Sequence, residues 1–222
     1  MRPAAGATLN DMTHIRYDNL LIFCSVAVAV WFLVIYLWPR IFLNVYKRAV
    51  LTKGFEGPIP INTLAAEPQA IFADPLHPPA SATKLATTGV NHDTLPTAGV
   101  LDLRHGPQVL HVPEMAGRYY SVQFTAPNNT NFAYVGTRTT GTQAGDYLIT
   151  GPGWKGEVPD GMRQISSPSN SVFLIGRILV YSDSDLPTAY ALTKEIQIVP
   201  RLAAGGGSQR GGPGESPTRH GS

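Results

Sequence analysis

One long apolar run near the start of the chain dominates the pattern of hydrophobic and polar residues. Residues 20–38 contain no charged side chain, and Cys24 and Ser25 are the most polar of them. As a helix with a rise of 1.5 Å per residue, this run is roughly 28 Å long, close to the ~30 Å hydrocarbon core of a bilayer. Tyr36 and Trp38 close the run, as aromatic residues do at membrane interfaces. The pattern predicts a single transmembrane helix.

A cleaved signal peptide is the alternative interpretation of the same run. Signal peptides have a shorter apolar core that is followed by a small-residue cleavage site. Here the run ends in large aromatic residues, and Pro39 and Arg40 come next. We therefore predict an uncleaved anchor and juxtamembrane helix over residues 19–50, after an N-terminal flank at 1–18.

The charges on either side of the run bear on its orientation. Four basic residues follow the run and two precede it, and these are Arg40, Lys47, Arg48 and Lys53 against Arg2 and Arg16. Because cytoplasmic flanks carry the excess of Lys and Arg, this count taken alone puts the C-terminal part in the cytoplasm.

Residues 51–90 are rich in proline and alanine. Proline breaks helices and removes a backbone donor from sheets, so regular structure is disfavoured there. This segment is predicted to be a partly extended linker, with at most a short helical turn near residues 65–72.

Short apolar runs separated by turn residues occupy the chain from about residue 99. Gly, Pro and Asn clusters divide these runs at intervals of roughly 8–15 residues, a spacing that is typical of antiparallel β-sandwiches and rolls. The predicted strands cover residues 99–103, 108–111, 119–124, 132–137, 147–150, 163–165 and 171–181.

A short helix and a last strand are predicted near the C-terminal end of this region. Ala189, Leu192 and Ile196 have helical spacing, and Asp185 precedes them as a predicted N-cap. A final strand is expected at 196–199. The predicted fold class is therefore mainly β: an antiparallel β-sandwich or roll over residues 91–202 with one short C-terminal helix, preceded by a single N-terminal transmembrane helix.

The last twenty residues, 203–222, include seven glycines and no large apolar side chain. Such a segment cannot bury enough surface to offset its ordering entropy, so it is predicted to be disordered.

Composition narrows the function classes further. The formal net charge is +2 and 14% of residues are charged, which gives no electrostatic case for nucleic acid. The single cysteine excludes an intrachain disulfide and a cysteine-based zinc site. The sequence contains no H-E-x-x-H or G-x-S-x-G motif, so no metal, cofactor or catalytic residue is predicted.

Several separated motifs occur in an order that resembles the domain of unknown function 1254 family. They are Asn91–Thr94, Gly117–Tyr120, Gly136–Arg138, Gly151–Trp154 and Gly176–Arg177. The resemblance implies a β-rich, mostly bacterial domain without assigned biochemistry, of the short, N-terminally anchored type. Many members carry a signal or anchor that exports the domain. The resemblance therefore implies an extracytoplasmic domain, against the flanking charges, and we adopt that prediction.

Two sets of polar and aromatic residues allow both a structural and a functional interpretation. Arg118, Arg138 and Arg177 are predicted to form buried ion pairs with Asp93, Asp102 or Asp146, although arginines also bind anionic ligands bidentately. Aromatic residues around the strands are expected mainly to fill the core, although they also line small-molecule pockets. They are Tyr119, Tyr120, Phe132, Tyr134 and Trp154.

Two hypotheses of function follow from this organisation. The first is a single-pass membrane protein whose β domain is a binding or assembly module, for a protein partner or an apolar small ligand. The second is a small membrane-tethered enzyme that uses Asn91, Asp93, Arg138 and Trp154. The predicted ligand-binding residues are Asn91, Asp93, Tyr120, Arg138, Trp154 and Arg177.

Overall fold

The computed structural model describes residues 9–74 and 93–200. The predicted disordered tail at 203–222, residues 1–8 of the predicted flank, and Asn91 lie outside the described residues.

The N-terminal apolar run lies within one long helix, α1 (Leu9–Thr52). Between Leu20 and Trp38 its large apolar side chains are exposed, from Leu37 at 37% to Phe23 at 70%. Within the described residues, one helix is long and apolar enough to cross a membrane by its length and composition, and it is this one, over residues 19–52. The helix passes through Pro39 without ending, and so it continues beyond the apolar run.

The strands form two sheets, and every predicted strand is present. The first sheet has the order β1-β2-β8-β4-β5 and is antiparallel throughout. Its strands are β1 (Leu64–Ala66), β2 (Thr94–Asp102), β4 (Tyr120–Thr125), β5 (Asn131–Gly136) and β8 (Ser171–Leu179). The second sheet has the order β7-β6-β3-β9 and contains one parallel pair, β6 with β7. Its strands are β3 (Gln108–Val112), β6 (Gly145–Thr150), β7 (Arg163–Ser166) and β9 (Gln197–Pro200).

The inner faces of the two sheets share one hydrophobic core. Alternation along β4 sends Tyr120, Val122 and Phe124 inward, and each of them is fully buried. Leu110 and Ile149 face them from the second sheet, within the same cluster. Two short helices, α2 (Gln69–Ala73) and α3 (Leu186–Glu195), close the edge of this core through Phe72 and Ala189. The predicted mainly β fold with a short C-terminal helix is confirmed.

The C-terminal part of α1 packs on the outer face of the first sheet. Leu43 and Val50 are 7% and 0% exposed, and they share a cluster with Val100 and Phe173. The rings of Tyr46 and Phe173 meet edge to face with centroids 5.2 Å apart. The apolar run and the β domain are therefore joined by a continuous helix that is docked on the sheet.

The described part of the predicted linker is packed against the domain. Phe55 and Ile59 are 8% and 3% exposed and belong to the cluster beneath α1. Further on, β1 adds a strand to the edge of the first sheet, and Ile71 of α2 is fully buried. This stretch therefore contributes to the fold as well as connecting its parts.

Glu67 is a buried carboxyl between β1 and α2. It is 5% exposed, its backbone N–H donates to the Pro96 carbonyl at 2.9 Å, and no described residue donates a hydrogen bond to its carboxylate. Burial disfavours the charged form and raises the pKa of Glu67 to about 7. The unfolded chain has the ordinary value of about 4.3. The contribution of Glu67 to folding stability therefore decreases as the pH rises from about 4 to about 7, because the folded state resists deprotonation of this carboxyl.

Replacement of this carboxyl is expected to remove that pH dependence. We expect the free energy of unfolding of Glu67→Gln, relative to that of the wild type, to be higher at pH 8 than at pH 4 by about 1–3 kcal/mol. The reason is that the amide cannot ionise. Urea unfolding at both pH values measures the change. A gap between variant and wild type that is the same at the two pH values would contradict the account of Glu67.

Candidate functional site

A concave pocket of about 210 Å³ lies on the outer face of the first sheet, where β4 begins and β5 ends. It is lined by Tyr119, Tyr120, Ser121, Tyr134, Gly136, Arg138 and Thr139. While α1 covers the outer face at β2 and β8, Tyr134 on β5 remains 44% exposed. The pocket is therefore a part of the sheet that the helix leaves open.

Glycine at position 136 opens the floor of this pocket. Ser121 and Gly136 are directly opposite one another in the β4–β5 register. A Cβ atom on Gly136 would lie 2.5 Å from the Tyr120 carbonyl oxygen and 2.8 Å from the Ser121 Cα, closer than packed atoms approach. Any side chain at 136 would therefore disturb the backbone there.

Arg138 is the cation of the pocket. It lies in the turn that follows β5, is exposed, and has its Cζ 5.9 Å from the centroid of the Tyr119 ring. No carboxylate of the described residues pairs with it. The turn is held by the Thr139 hydroxyl, which donates to the Tyr134 carbonyl at 3.1 Å. An arginine without a carboxylate partner among the described residues thus lies beside two tyrosines.

A polar network fixes the Tyr134 wall of the pocket. The Asn131 amide nitrogen donates to the Tyr134 hydroxyl at 2.9 Å, and the Asn131 carbonyl oxygen accepts from Thr125 at 2.8 Å. Gln123 donates to both Thr125 and Asn131 at 3.0 Å. Because these residues hold one another, the ring of Tyr134 is positioned before any ligand arrives.

The structure brings together two of the predicted ligand-binding residues, Tyr120 and Arg138. The ring of Tyr120 nevertheless belongs to the core, with its hydroxyl 3.5 Å from the Thr140 hydroxyl, and burial raises its pKa above the usual value. Tyr119 and Tyr134 supply the accessible rings instead. The sequence analysis placed both in the core, because their exposure depends on which part of the sheet α1 leaves open.

The other predicted residues do not line the pocket. Arg177 on β8 lies directly opposite Ser121 in the β4–β8 register, next to the pocket. Its exposed guanidinium donates to the Thr94 hydroxyl at 3.4 Å, on the side of β2. The turn that holds Trp154 lies beside Asn170, just before β8 begins, because a Cβ on Gly151 would meet the Asn170 side chain at 2.6 Å.

Trp154 and the pocket therefore lie at opposite ends of β8. Tyr119 and Asp93 accept backbone hydrogen bonds from residues 179 and 180, at the far end of β8 from Asn170. Asp93 and the pocket thus share one end of the sheet, and Trp154 lies at the opposite end. Ligand binding by the predicted set stays a prediction.

The predicted partners of the arginines are wrong for Asp102 and Asp146. Asp102 pairs with Arg104, two residues along the chain, and Asp146 pairs across the strands with His111 at 2.7 Å. Arg118 instead forms a buried pair with Asp185. Side-chain contacts between distant strands depend on register, which spacing along a single chain does not reveal.

Two further polar pairs have the residue types of catalytic dyads. His111 and Asp146 are about half exposed on the outer face of the second sheet, a position typical of a cross-strand surface pair. The Lys47 ammonium donates to the Ser171 hydroxyl, but the cavity beside them holds only about 10 Å³, which is too little for a substrate. Among the described residues no three His, Cys, Asp or Glu side chains form a potential metal site.

These features define a class of protein: a two-sheet β domain docked on a helix of membrane-span length. The chain belongs to the family described as Protein of unknown function (DUF1254), whose profile matches residues 73–200. The resemblance that the sequence motifs indicated is confirmed. No curated protein matches the chain.

One similar solved structure is the VPA0106 protein from Vibrio parahaemolyticus. It is 33% identical, with a TM-score of 0.47, and the match covers 49% of this chain. The chain corresponds to 28% of the length of that protein.

Proposed function

We propose that this protein is a membrane-tethered binding module whose β domain takes a small organic anion with an aromatic or apolar body. The observation that carries this proposal is Arg138, a cation without a carboxylate partner among the described residues, in a concave pocket beside two tyrosine rings. Aromatic walls with one convergent charged group are typical of small-molecule sites. A guanidinium binds a carboxylate or phosphate through paired hydrogen bonds.

The dimensions of the pocket limit the ligand. Pockets for drug-sized molecules have volumes of about 300 Å³ and above, and this one has about 210 Å³. An aromatic monocarboxylate has the required size, with its ring against Tyr119 or Tyr134 and its carboxylate at Arg138. The domain lies on the extracytoplasmic side in this proposal, as the family resemblance implies.

An enzyme that uses Asn91, Asp93, Arg138 and Trp154 is the less well supported alternative. Such a set must converge on one substrate atom, within hydrogen-bond reach. Trp154 and Arg138 lie at opposite ends of the first sheet. A binding module requires only the pocket.

Benzoate is a suitable probe of the proposed site, with benzamide as its neutral counterpart. We expect benzoate to bind the full chain in detergent micelles, and Arg138→Gln to weaken that binding by roughly tenfold, since one charge-assisted contact is lost. Isothermal titration calorimetry measures both affinities. Benzamide is expected to bind weakly and to be insensitive to the substitution.

Arg48→Gln is the matched control, because Arg48 is an exposed arginine of α1 that does not line the pocket. It should leave benzoate affinity unchanged. Arg138→Gln should also leave the urea midpoint nearly unchanged, as surface substitutions do. Equal benzoate affinity in wild type and Arg138→Gln would refute the proposed site, and a large loss of stability would show that Arg138 is structural.

A further inference from the structure

A second concavity, a groove of about 320 Å³, lies between α1 and the opposite end of the domain from the tyrosine pocket. One wall is α1, through Arg40 and Asn44. The other wall consists of two loops, the β4–β5 loop and the connection that precedes β8, through Ala126, Pro127, Asn128, Pro168 and Ser169. We call this the α1 groove.

Arg40, Asn44 and Asn128 bring hydrogen-bond donors to the lining of the α1 groove. The Arg40 guanidinium lies 4.4 Å from the centroid of the Tyr36 ring and donates one bond to the Tyr36 carbonyl, so most of its donors remain available. The Asn128 side-chain oxygen already accepts from the Thr130 N–H at 3.2 Å, which leaves its amide hydrogens to point elsewhere. No acidic residue lines the groove. The lining therefore favours an anion.

The walls of the groove are held in place by contacts just beyond it. Leu43, between Arg40 and Asn44 on α1, is buried on the sheet, and Lys47, about one turn after Asn44, donates to the Ser171 hydroxyl. Tyr46 packs against Phe173. Because the helix is fixed to the sheet at these points, the groove exists without a ligand, and binding there costs little reorganisation.

The position of the groove along α1, just after the apolar run, favours a lipid phosphate as the anion. Arg40 comes two residues after Trp38, the last residue of the apolar run. At 1.5 Å per residue this places it about 3 Å beyond the end of the hydrocarbon-spanning segment. Phosphate groups of phospholipids occupy that level of a bilayer, and Arg40 stacked on Tyr36 has the form of an interfacial anchor.

We propose that the α1 groove binds the headgroup phosphate of an anionic phospholipid from the leaflet adjacent to the β domain. This inference rests on the membrane tether of the proposed function. Arg40 is the principal cation of the site, and Asn44 and Asn128 donate hydrogen bonds from the two walls. A lipid held there fixes the loops of the β domain against the membrane surface, so that the tyrosine pocket opens away from it.

Lipid retention by the full chain tests this site. The chain is purified in detergent, mixed with equal amounts of phosphatidylglycerol and phosphatidylcholine, and examined by native mass spectrometry. We expect retention of phosphatidylglycerol over phosphatidylcholine by roughly tenfold, and loss of most of that preference in Arg40→Gln. Arg48→Gln is the matched control, because Arg48 is an exposed arginine of the same helix outside the groove.

The outcomes distinguish failure of the groove, failure of the lipid assignment and failure of the membrane tether. Equal loss in Arg40→Gln and Arg48→Gln, or no loss in Arg40→Gln, overturns the groove and leaves the tether intact. Displacement of the lipid by millimolar sn-glycerol 1-phosphate would assign the groove to a soluble phosphate and overturn the lipid assignment. Recovery of the chain from cells without detergent, in the soluble fraction, would refute the tether itself.

Discussion

Arg118→Met is expected to destabilise the protein by about 2–4 kcal/mol, because it leaves the partly buried Asp185 carboxylate without its cationic partner. Arg118 is 7% exposed, and its two terminal nitrogens donate to the Asp185 carboxylate at 2.5 and 2.7 Å. It also donates to the Leu179 carbonyl at 2.7 Å and stacks over the Tyr181 ring. Methionine fills the volume but removes the Arg118 donors from the Leu179 carbonyl and from both oxygens of Asp185, and the Tyr181 N–H continues to donate to Asp185 Oδ2. The melting temperature measured by thermal unfolding should decrease by on the order of 10 °C.

The pH dependence of this pair gives a second signature. Arg118 holds the pKa of Asp185 at about 2, below the ordinary unfolded value of about 3.9. The pair therefore stabilises the fold above pH 4, and that stability is lost as the pH falls from about 4 towards 2. In Arg118→Met, the free energy of unfolding should therefore depend less on pH between about 4 and 2 than it does in the wild type.

Arg104→Met is the control for the arginine pair. Arg104 binds Asp102 in a surface pair with 67% of its side chain exposed, so its removal should change the urea midpoint little. If the two variants lost similar amounts of stability, the Arg118–Asp185 pair would not stabilise the fold more than the exposed Arg104–Asp102 pair does.

Truncation of α1 is the second change with a large expected effect, and its outcome depends on where the cut is made. Removal of residues 1–38 deletes the apolar run and keeps the part of α1 that packs on the sheet. Removal of residues 1–52 also deletes Leu43, Tyr46 and Val50, which uncovers Val100 and Phe173. We expect the longer truncation to be less stable by at least about 3 kcal/mol, since several buried side chains are lost together.

Urea unfolding of the two truncated chains measures this difference. The shorter truncation is the control, because it lacks the apolar run to the same extent. Equal midpoints for the two chains would mean that α1 does not stabilise the β domain.

The sheet could be predicted largely from local pattern, except where proline obscured a strand. Pro96 lies inside β2, and for this reason the sequence analysis began that strand at residue 99, five residues after its start at Thr94. The edge strand β1 has three half-buried residues within a proline-rich segment, so its alternation is too short to detect. The parallel pairing of β7 with β6 needs a crossover that no local pattern reveals.

Contacts between segments that are far apart in the chain could not be predicted from the sequence. Arg118 and Asp185 are 67 positions apart, and Asp185 was predicted only as an N-cap, although it makes no side-chain bond to the helix it precedes. Exposure of Tyr134 depends on how far α1 extends across the outer face of the sheet. Both facts arise from the docking of distant segments, whereas periodicity reports only on neighbours.

The proposed function and the α1 groove both depend on α1 crossing a bilayer, and alkaline carbonate extraction of cell membranes tests that most directly. High salt screens charge and carbonate strips peripheral proteins, but neither removes an apolar span of nineteen residues from lipid. The account predicts that the full chain sediments with the membranes under both treatments, while the chain without residues 1–38 is soluble and folded. Recovery of the full chain in the supernatant, or of a mature form that begins after the apolar run, would contradict it.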